Sequence, residues 1–363
     1  MDDQKASLDP FDVANPVVIE IAKTAKEARS WLRKGYCPIE CSFGDESVVC
    51  KLEMDHHGSF SHLEGVAIRA YRDHFGKRSD KPKFVVTGTP DEDACFAIAA
   101  LAGKLPHPCF AELFEDDSSL KHIWSQNFIH VAELINQADT NPKDVDLMSD
   151  YWGRLIVYWR ALTNITIRDT TAFHAGVARW RDILTTPQDK LISVVPDIVE
   201  TTLQSVRAAP FESISKKVTV IDCSAWGFSH TYATEWYTHS PLILAFYGGI
   251  NGKGFITFSV KDKTAAEKMF GTGGLLAIYD KLEESGFDGC GGREDIGGSN
   301  RHVPLSWAEA LELGKAFDAL VLPPAQKQKA KQKATKKNGS SGSNNGGKDG
   351  KPSEKKKEKD EKK

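Results

Sequence analysis

The sequence predicts an α/β protein: a parallel-sheet domain, a helical connector, a smaller C-terminal α/β domain and a disordered basic tail. Three observations carry this. Short apolar runs alternate with helically spaced segments in the first 150 residues, the order that builds a parallel sheet. Helical spacing then dominates from about residue 118 to 207, and strand-like runs return from Val218. From Ala325 onward the chain holds 14 Lys against 5 acidic residues and almost nothing apolar, a composition that cannot bury enough surface to fold. The expected boundaries are 1–150, 151–210, 211–324 and 325–363.

Taken in order, "PVVIEIA" reads as a strand and "TAKEARSWLRKG" as a helix ended by glycine. "ESVVCKLEM" is the next strand expected, delivering the chain to Asp55, His56 and His57. Leu63, Val66, Ala67, Ala70, Tyr71 and Phe75 mark a helical stripe. "KFVVTG" is a buried-type strand and "TPDEDACFAIAALAGKL" a turn opening into an apolar helix. "LKHIWSQNFIHVAELINQAD", "DYWGRLIVYWRALTN" and "AFHAGVARWRDIL" have helical spacing. In the last part, "KVTVIDCS", "PLILAFYGG" and "GFITFSV" are strands, "AAEKMFGTGGLLAIYDKLEESG" is helical, and "SWAEALELGKAFDALVL" closes the domain.

The 363 residues, 40% of them hydrophobic, can build sizeable cores. No uncharged apolar run approaches the roughly 20 residues needed to cross a bilayer, and the acidic start "MDDQKASLDPFD" is unlike a signal peptide. A cytoplasmic protein is expected. Seven scattered cysteines without a C-x-x-C pair argue for reduced thiols rather than a disulfide scaffold or a cysteine zinc site. The net charge of −3 conceals a tail near +9 on a remainder near −12. Such a tail can bind nucleic acid by counterion release or act as a solubilising extension. An acidic remainder fits a small substrate better than a long nucleic acid.

Three clusters can carry chemistry. Asp55-His56-His57-Gly58 places three metal-capable side chains at one chain reversal; the plainer reading is a polar loop capping the next helix. In "TGTPDEDACFA", Asp91 and Asp93 flank Glu92 after a strand. Carboxylates so spaced can each bind one ion of a two-metal pair, although acids at a helix start also serve as N-cap and dipole partners. In "GFDGCGGREDIGGSNRH", Gly291, Gly292, Gly297 and Gly298 let the backbone approach an anion. Arg293, Arg301 and Ser299 add donors, unless the stretch is only a glycine-rich turn. Gly271, Gly273 and Gly274 lack the lysine of a P-loop. His62, His74, His130 and His174 read as surface or satisfied histidines, and Trp152, Trp159 and Trp180 as packing aromatics.

Together, "DHHG", "TPDEDACFAIAAL" and "GGREDIGGS" resemble the hallmarks of the DHH phosphoesterase superfamily, over about residues 45–150 and 217–302. That family joins a metal-binding DHH domain to a small DHH-associated domain with a G-G-H-x-x-A-A-G-G-S loop, and uses manganese or magnesium. The resemblance implies two ions, with His56, Asp91, Asp93 and Asp139 as ligands. It also implies His57, with Asp55, at the scissile phosphate, and Asp116 or Asp117 as a bridging carboxylate. Gly291, Gly292, Arg293, Gly297, Gly298, Ser299 and Arg301 become the substrate loop. Three departures stand out: Thr87 occupies the place of a ligand histidine, the DHH triplet precedes the paired acids, and the loop has Arg293 for histidine and Ile296 with Gly297 for two alanines.

The function expected is a divalent-metal phosphoesterase acting on a phosphoester or phosphoanhydride in a small nucleotide, short oligonucleotide or polyphosphate. The alternatives are a catalytically degenerate nucleotide- or phosphate-binding protein and a nucleic-acid-associated scaffold acting through its tail.

Overall fold

The computed structural model describes residues 16–323, apart from 45, 108–127, 141, 143–144, 150, 164–168, 187, 226–229, 249–250 and 301–302. Asp116, Asp117, Arg301, Cys109 and the basic tail therefore lie outside the described residues. All contacts given below fall within the unit that ends at Val321.

The first sheet is parallel and three-stranded, in the order β1 (Val18–Ile21), β5 (Lys83–Val86), β2 (Cys37–Ile39). Ile21 and Ile39 both sit level with Val86, so the three carboxyl ends form one edge. Side chains alternate across the faces, as the strand period requires. Val85 joins Ala22, Ala25 and Ala28 under helix α1 (Ala25–Arg33), whereas Phe84 and Val86 join the larger core. Thr24 caps α1 by accepting from the Glu27 amide.

"ESVVCKLEM" does not form the strand its composition predicts. A hairpin of β3 (Ser42–Phe43) and β4 (Glu46–Ser47) ends at Ser47, and residues 48–54 bend instead. Beyond Ser42 no strand edge continues to pair with them. Their amides turn back locally, Val48 N to Cys41 O at 2.9 Å and Glu53 N to Cys50 O at 3.0 Å, and Glu53 adopts a left-handed φ of 51°. The DHH triplet thus arrives on a loop.

Helix α3 (Glu92–Leu101) is buried at every position, as a helix apolar all round must be. It packs with α2 (Val66–Asp73), α4 (Phe128–Thr140), α5 (Tyr151–Leu162) and α6 (Thr170–Thr185). Trp159 and Trp180 are fully buried and stacked at 5.3 Å, and their ring N–H groups donate to Gly176 O and Glu92 O. They are packing aromatics.

After α7 (Gln188–Arg207) comes a second, mostly antiparallel sheet. Its order is β10 (Gly291–Gly292), β11 (Ile296–Gly298), β9 (Lys253–Val260), β8 (Leu242–Gly248), β7 (Val218–Asp222), β6 (Phe211–Ser213), with β12 (Leu305–Ser306) also on β9. Only β7 and β8 run parallel within it. Leu242, Leu244 and Phe246 face a core shared with the C-terminal helices, while Ile243 and Ala245 join the first core. Helix α8 (His230–Trp236) precedes β8.

The segment expected as one helix after β9 is broken into α9 (Lys263–Phe270), a short 3₁₀ turn and α10 (Tyr279–Glu284). Gly271, Gly273 and Gly274 all take positive φ there. A Cβ on Gly274 would meet Glu294 O at 2.3 Å, so the backbone crosses too closely for a side chain. Helix α11 (Trp307–Leu320) closes the fold with a capping box between Ser306 and Glu309.

The approach of α3, α5 and α6 has one narrow point. A Cβ at Gly176 would lie 2.6 Å from Cys95 Sγ. Gly176→Ala should destabilise the protein by about 1–3 kcal/mol in denaturant unfolding. Combined with Cys95→Ala, it should cost less than the sum of the two single changes; strict additivity would contradict the packing described.

Candidate metal centre

The carboxyl edge of the first sheet delivers two polar turns side by side. Glu40 follows Ile39 directly, and the turn to α3 follows Val86. Glu40 takes φ of 49°, and with Glu53 it is one of two non-glycine residues with positive φ among those described. Such a conformation costs on the order of 1–3 kcal/mol and persists where the surroundings over-determine it. Here the Glu40 amide donates to Met54 O at 2.8 Å, tying the strand end to the DHH loop.

That loop is fixed from beneath by Arg69 of α2. Its guanidinium, about nine-tenths buried, donates to three backbone carbonyls: Glu64 by Nε at 2.8 Å, Glu53 by Nη1 at 2.7 Å and Asp55 by Nη2 at 2.8 Å. One planar side chain thus sets both ends of the segment that presents Asp55, His56 and His57.

His56 is the hub. Its Nε2 lies 2.8 Å from Glu40 Oε1, 2.8 Å from Asp139 Oδ2 and 3.6 Å from Asp93 Oδ2. Burial alone would lower the imidazole pKa, but the bonds to Asp139 and Glu40 outweigh it and raise it to about 11. The donor atoms of Glu40, His56, Asp93 and Asp139 all lie within 4.8 Å of one another, and those of Glu40, His56 and His57 form a second such group. This set of carboxylates and imidazole, buried or half-buried except for the exposed Asp139, can bind a metal ion.

Asp55 is wholly buried and bonds to Ser42 and His57. Its Oδ2 accepts from Ser42 Oγ at 2.7 Å, and its Oδ1 accepts from the His57 amide at 2.9 Å and His57 Nδ1 at 3.1 Å. Burial opposes ionisation, yet these bonds hold its carboxyl below the usual range. The imidazole of His57 is thereby oriented through Nδ1, one-third exposed and 4.5 Å from the His56 ring.

The acidic turn divides its three members. Asp91 caps α3 by accepting from the Ala94 amide at 2.9 Å. Burial, with Asp139 and Asp93 nearby, raises its carboxyl to about 7. Asp93 accepts from the Val66 and Ala67 amides at 2.9 and 2.8 Å, capping α2 from outside, and is raised by burial and by Asp139. Glu92 turns away to Arg160 of α5. Glu40 is also raised, by burial and then by Asp91. The helix-cap roles and the crowded acidic cluster are thus both present in the same two aspartates.

Asp139 occupies the last turn of α4, where a negative charge opposes the helix dipole and no basic residue of the helix offsets it. Arg293, far along the chain, donates from Nη1 to Thr140 O at 2.9 Å, satisfying a carbonyl at the end of α4 in the residue that follows Asp139. On the opposite side, Asn136 accepts from the Gly65 amide at 2.6 Å. A Cβ at Gly65 would crowd Asn136 and Asp93 at 3.1 Å.

The glycine-rich stretch is a β-hairpin, Gly291 opposite Gly298 and Gly292 opposite Gly297. Gly297 is small because a Cβ would meet the Phe258 ring at 2.3 Å and Tyr279 OH at 2.5 Å. Ser299 is buried, and its Oγ accepts from the Ile256 amide at 3.0 Å. These are contacts within the sheet, and Arg293 is the member of the loop that bonds to the end of α4. Thr87 follows β5 on the same edge as Glu40. Glu40 itself escaped the sequence reading. The available signal was an acid ending the three-residue apolar run "CPI", level with the turn that bears Asp91.

No protein-family model matches the chain, and no curated protein does. Among solved structures it is similar to a pGpG-specific phosphodiesterase, PggH from Vibrio cholerae. The identity is 13% and the TM-score 0.31, over 61% of this chain and 72% of that one. It is similar to CDC45 from Entamoeba histolytica at 9% identity and a TM-score of 0.24, over 80% of this chain and 64% of that one. Both scores are too low to carry chemistry across. No helix among the described residues is long and apolar enough to cross a membrane.

Crowded acids make stability depend on pH. Asp91 has a folded pKa raised to about 7, so between its unfolded value of about 3.9 and that point the native state binds the extra proton. Its contribution is complete below about pH 4 and lost as pH rises through about 7. Thermal melts of metal-free protein should show stability falling over this window, less steeply in Asp91→Asn. Added Mn²⁺ should recover the loss at the upper end. A pH-independent melt, unmoved by Mn²⁺, would contradict the electrostatic account.

Proposed function

We propose that Glu40, His56, Asp93 and Asp139 hold a divalent cation, manganese or magnesium, and that the protein hydrolyses a phosphoester or phosphoanhydride. The substrate class is a small nucleotide, a short oligonucleotide or polyphosphate. The observation that carries this reading is the convergence of the Glu40, His56, Asp93 and Asp139 donor atoms within 4.8 Å of one another, with Arg293 bonded to the carbonyl of Thr140, the residue after Asp139. A cation seat together with an arginine is suited to a phosphate group, since the guanidinium fork matches phosphate oxygens. The resemblance of the three sequence motifs to those of DHH phosphoesterases supports the same class.

The donor set fits the ion. Three carboxylates and one imidazole make a hard, oxygen-rich site, suited to Mn²⁺ or Mg²⁺ rather than to thiolate-seeking metals. Asp91, which feels the charges of Asp139 and Asp93 and whose own charge raises Glu40, stands ready as a ligand for a second ion. When bound, such ions supply Lewis acidity to a phosphoryl oxygen and make water a better nucleophile.

The chain's own groups do the rest. Asp55 holds His57 through Nδ1, which leaves Nε2 to carry a proton to the departing oxygen, the division of labour of an oriented general acid. Arg293 binds and orients a phosphate of the substrate. Arg69, through its three carbonyl contacts, keeps His56 and His57 in register with the acids.

The test is hydrolysis by the full chain, with and without Mn²⁺, of short oligonucleotides, 3′-phosphoadenosine phosphate and polyphosphate. Metal-dependent release of phosphate or mononucleotide is expected, and His57→Ala should lower kcat about 10²–10⁴-fold while metal binding persists. Metal binding without turnover on any substrate would leave a phosphate-binding protein in place of a hydrolase. Absence of both would leave His56 as a buried imidazolium that joins Glu40 and Asp139 for structural reasons.

A further inference from the structure

We propose that Cys37 and Cys50 are a reversible oxidation site, in which peroxide oxidises Cys50 and Cys37 closes a disulfide onto it. The proposal goes beyond the hydrolase reading and does not rest on it. Cys37 opens β2 and is buried, whereas Cys50 lies in the bend that leads to the DHH loop and is partly exposed. Their sulfur atoms are 3.5 Å apart, so about 1.5 Å of closure brings them to disulfide length. Neither thiol belongs to a group of metal-capable residues among those described, which leaves sulfur–sulfur chemistry as the natural use of the pair.

The surroundings divide the roles. The hydrogen bond from Cys37 lowers the Cys50 thiol to about 6 against the effect of burial, and the charge of Arg78 acts in the same direction. The same hydrogen bond and burial push Cys37 well up. Arg78 also carries a buried Nε without a hydrogen-bond partner, a donor that an anionic sulfur nearby would suit. A thiolate that is accessible and beside a cation is the form that reacts with peroxide, and a neighbouring thiol resolves it. The other described cysteines lack this setting. Cys41 donates to Val85 O, Cys95 and Cys223 are buried, and Cys290 is raised to about 11 by burial and Asp288.

The steps balance. The Cys50 thiolate attacks hydrogen peroxide, giving a sulfenic acid and hydroxide. Cys37 then displaces the hydroxyl from that sulfur, forming the S–S bond, and its proton leaves in water. Peroxide is reduced by two electrons and the two thiols are oxidised by two. The bond would tie the bend to the start of β2, in a segment already closed by Val48 N to Cys41 O and Glu40 N to Met54 O. Oxidation therefore acts on the backbone that carries Asp55 and His56.

The experiment uses the full chain, exposed to hydrogen peroxide, quenched with N-ethylmaleimide, digested and mapped by mass spectrometry. The expected product is a Cys37–Cys50 linked peptide, lighter by two hydrogens, formed before Cys290 is modified and reversed by dithiothreitol. In Cys37→Ser, Cys50 should stop at a sulfenic acid trapped by dimedone; in Cys50→Ser, Cys37 should remain a thiol. Should either variant fail to fold, the linked peptide from the unmutated protein decides the matter alone. If Cys290 oxidises while Cys37 and Cys50 stay alkylatable, or if Cys50 passes to the sulfinic acid with Cys37 still reduced, the proposal is overturned.

Discussion

Repulsion among carboxylates at the carboxyl edge of a small parallel sheet is the constraint around which this part of the molecule is arranged. Glu40, Asp91, Asp93 and Asp139 crowd about one imidazole, and burial with mutual charge raises the first three. Like charges in a poorly solvated site must take up protons or a cation. Without a metal, His56 supplies one positive charge, hydrogen-bonded to Glu40 and Asp139. With one, the same lone pair becomes available to the ion, so proton and metal compete for the seat.

Much of the surrounding structure serves to hold this arrangement. Glu40 is kept in the left-handed region by its amide bond to Met54 O. Arg69 gathers three carbonyls of the DHH loop. Asp93 joins the cluster to the start of α2 through two backbone amides. Arg293 crosses from the C-terminal sheet to the end of α4, where it satisfies a terminal carbonyl. That bond couples two parts of the chain more than 150 residues apart.

The regular elements were legible where hydrophobic period and glycine punctuation agree, as in α1, β5, α3 and β7 through β9. "ESVVCKLEM" misled because β-branched residues mark a strand only if an edge exists to pair with, and the partner β3 is two residues long. The helix expected after β9 was cut by glycines that the close passage of Glu294 requires. In the site, residue chemistry singled out His56 and Asp93, and the family resemblance added Asp139; the fold brings the three into one cluster. Glu40 was not legible, since a lone acid after three apolar residues carries no periodicity and its place depends on strand order. Gly297 and Ser299 look like ligand-binding residues in sequence, yet their surroundings are Phe258, Tyr279 and the Ile256 amide.

The most direct measurement of the central claim is anomalous diffraction at the manganese edge from crystals of the full chain grown with MnCl₂. An anomalous peak bounded by Glu40, His56, Asp93 and Asp139, with His56 Nε2 turned onto the ion, is the result predicted. A map without a peak there, with His56 still hydrogen-bonded to Glu40 and Asp139, would contradict it.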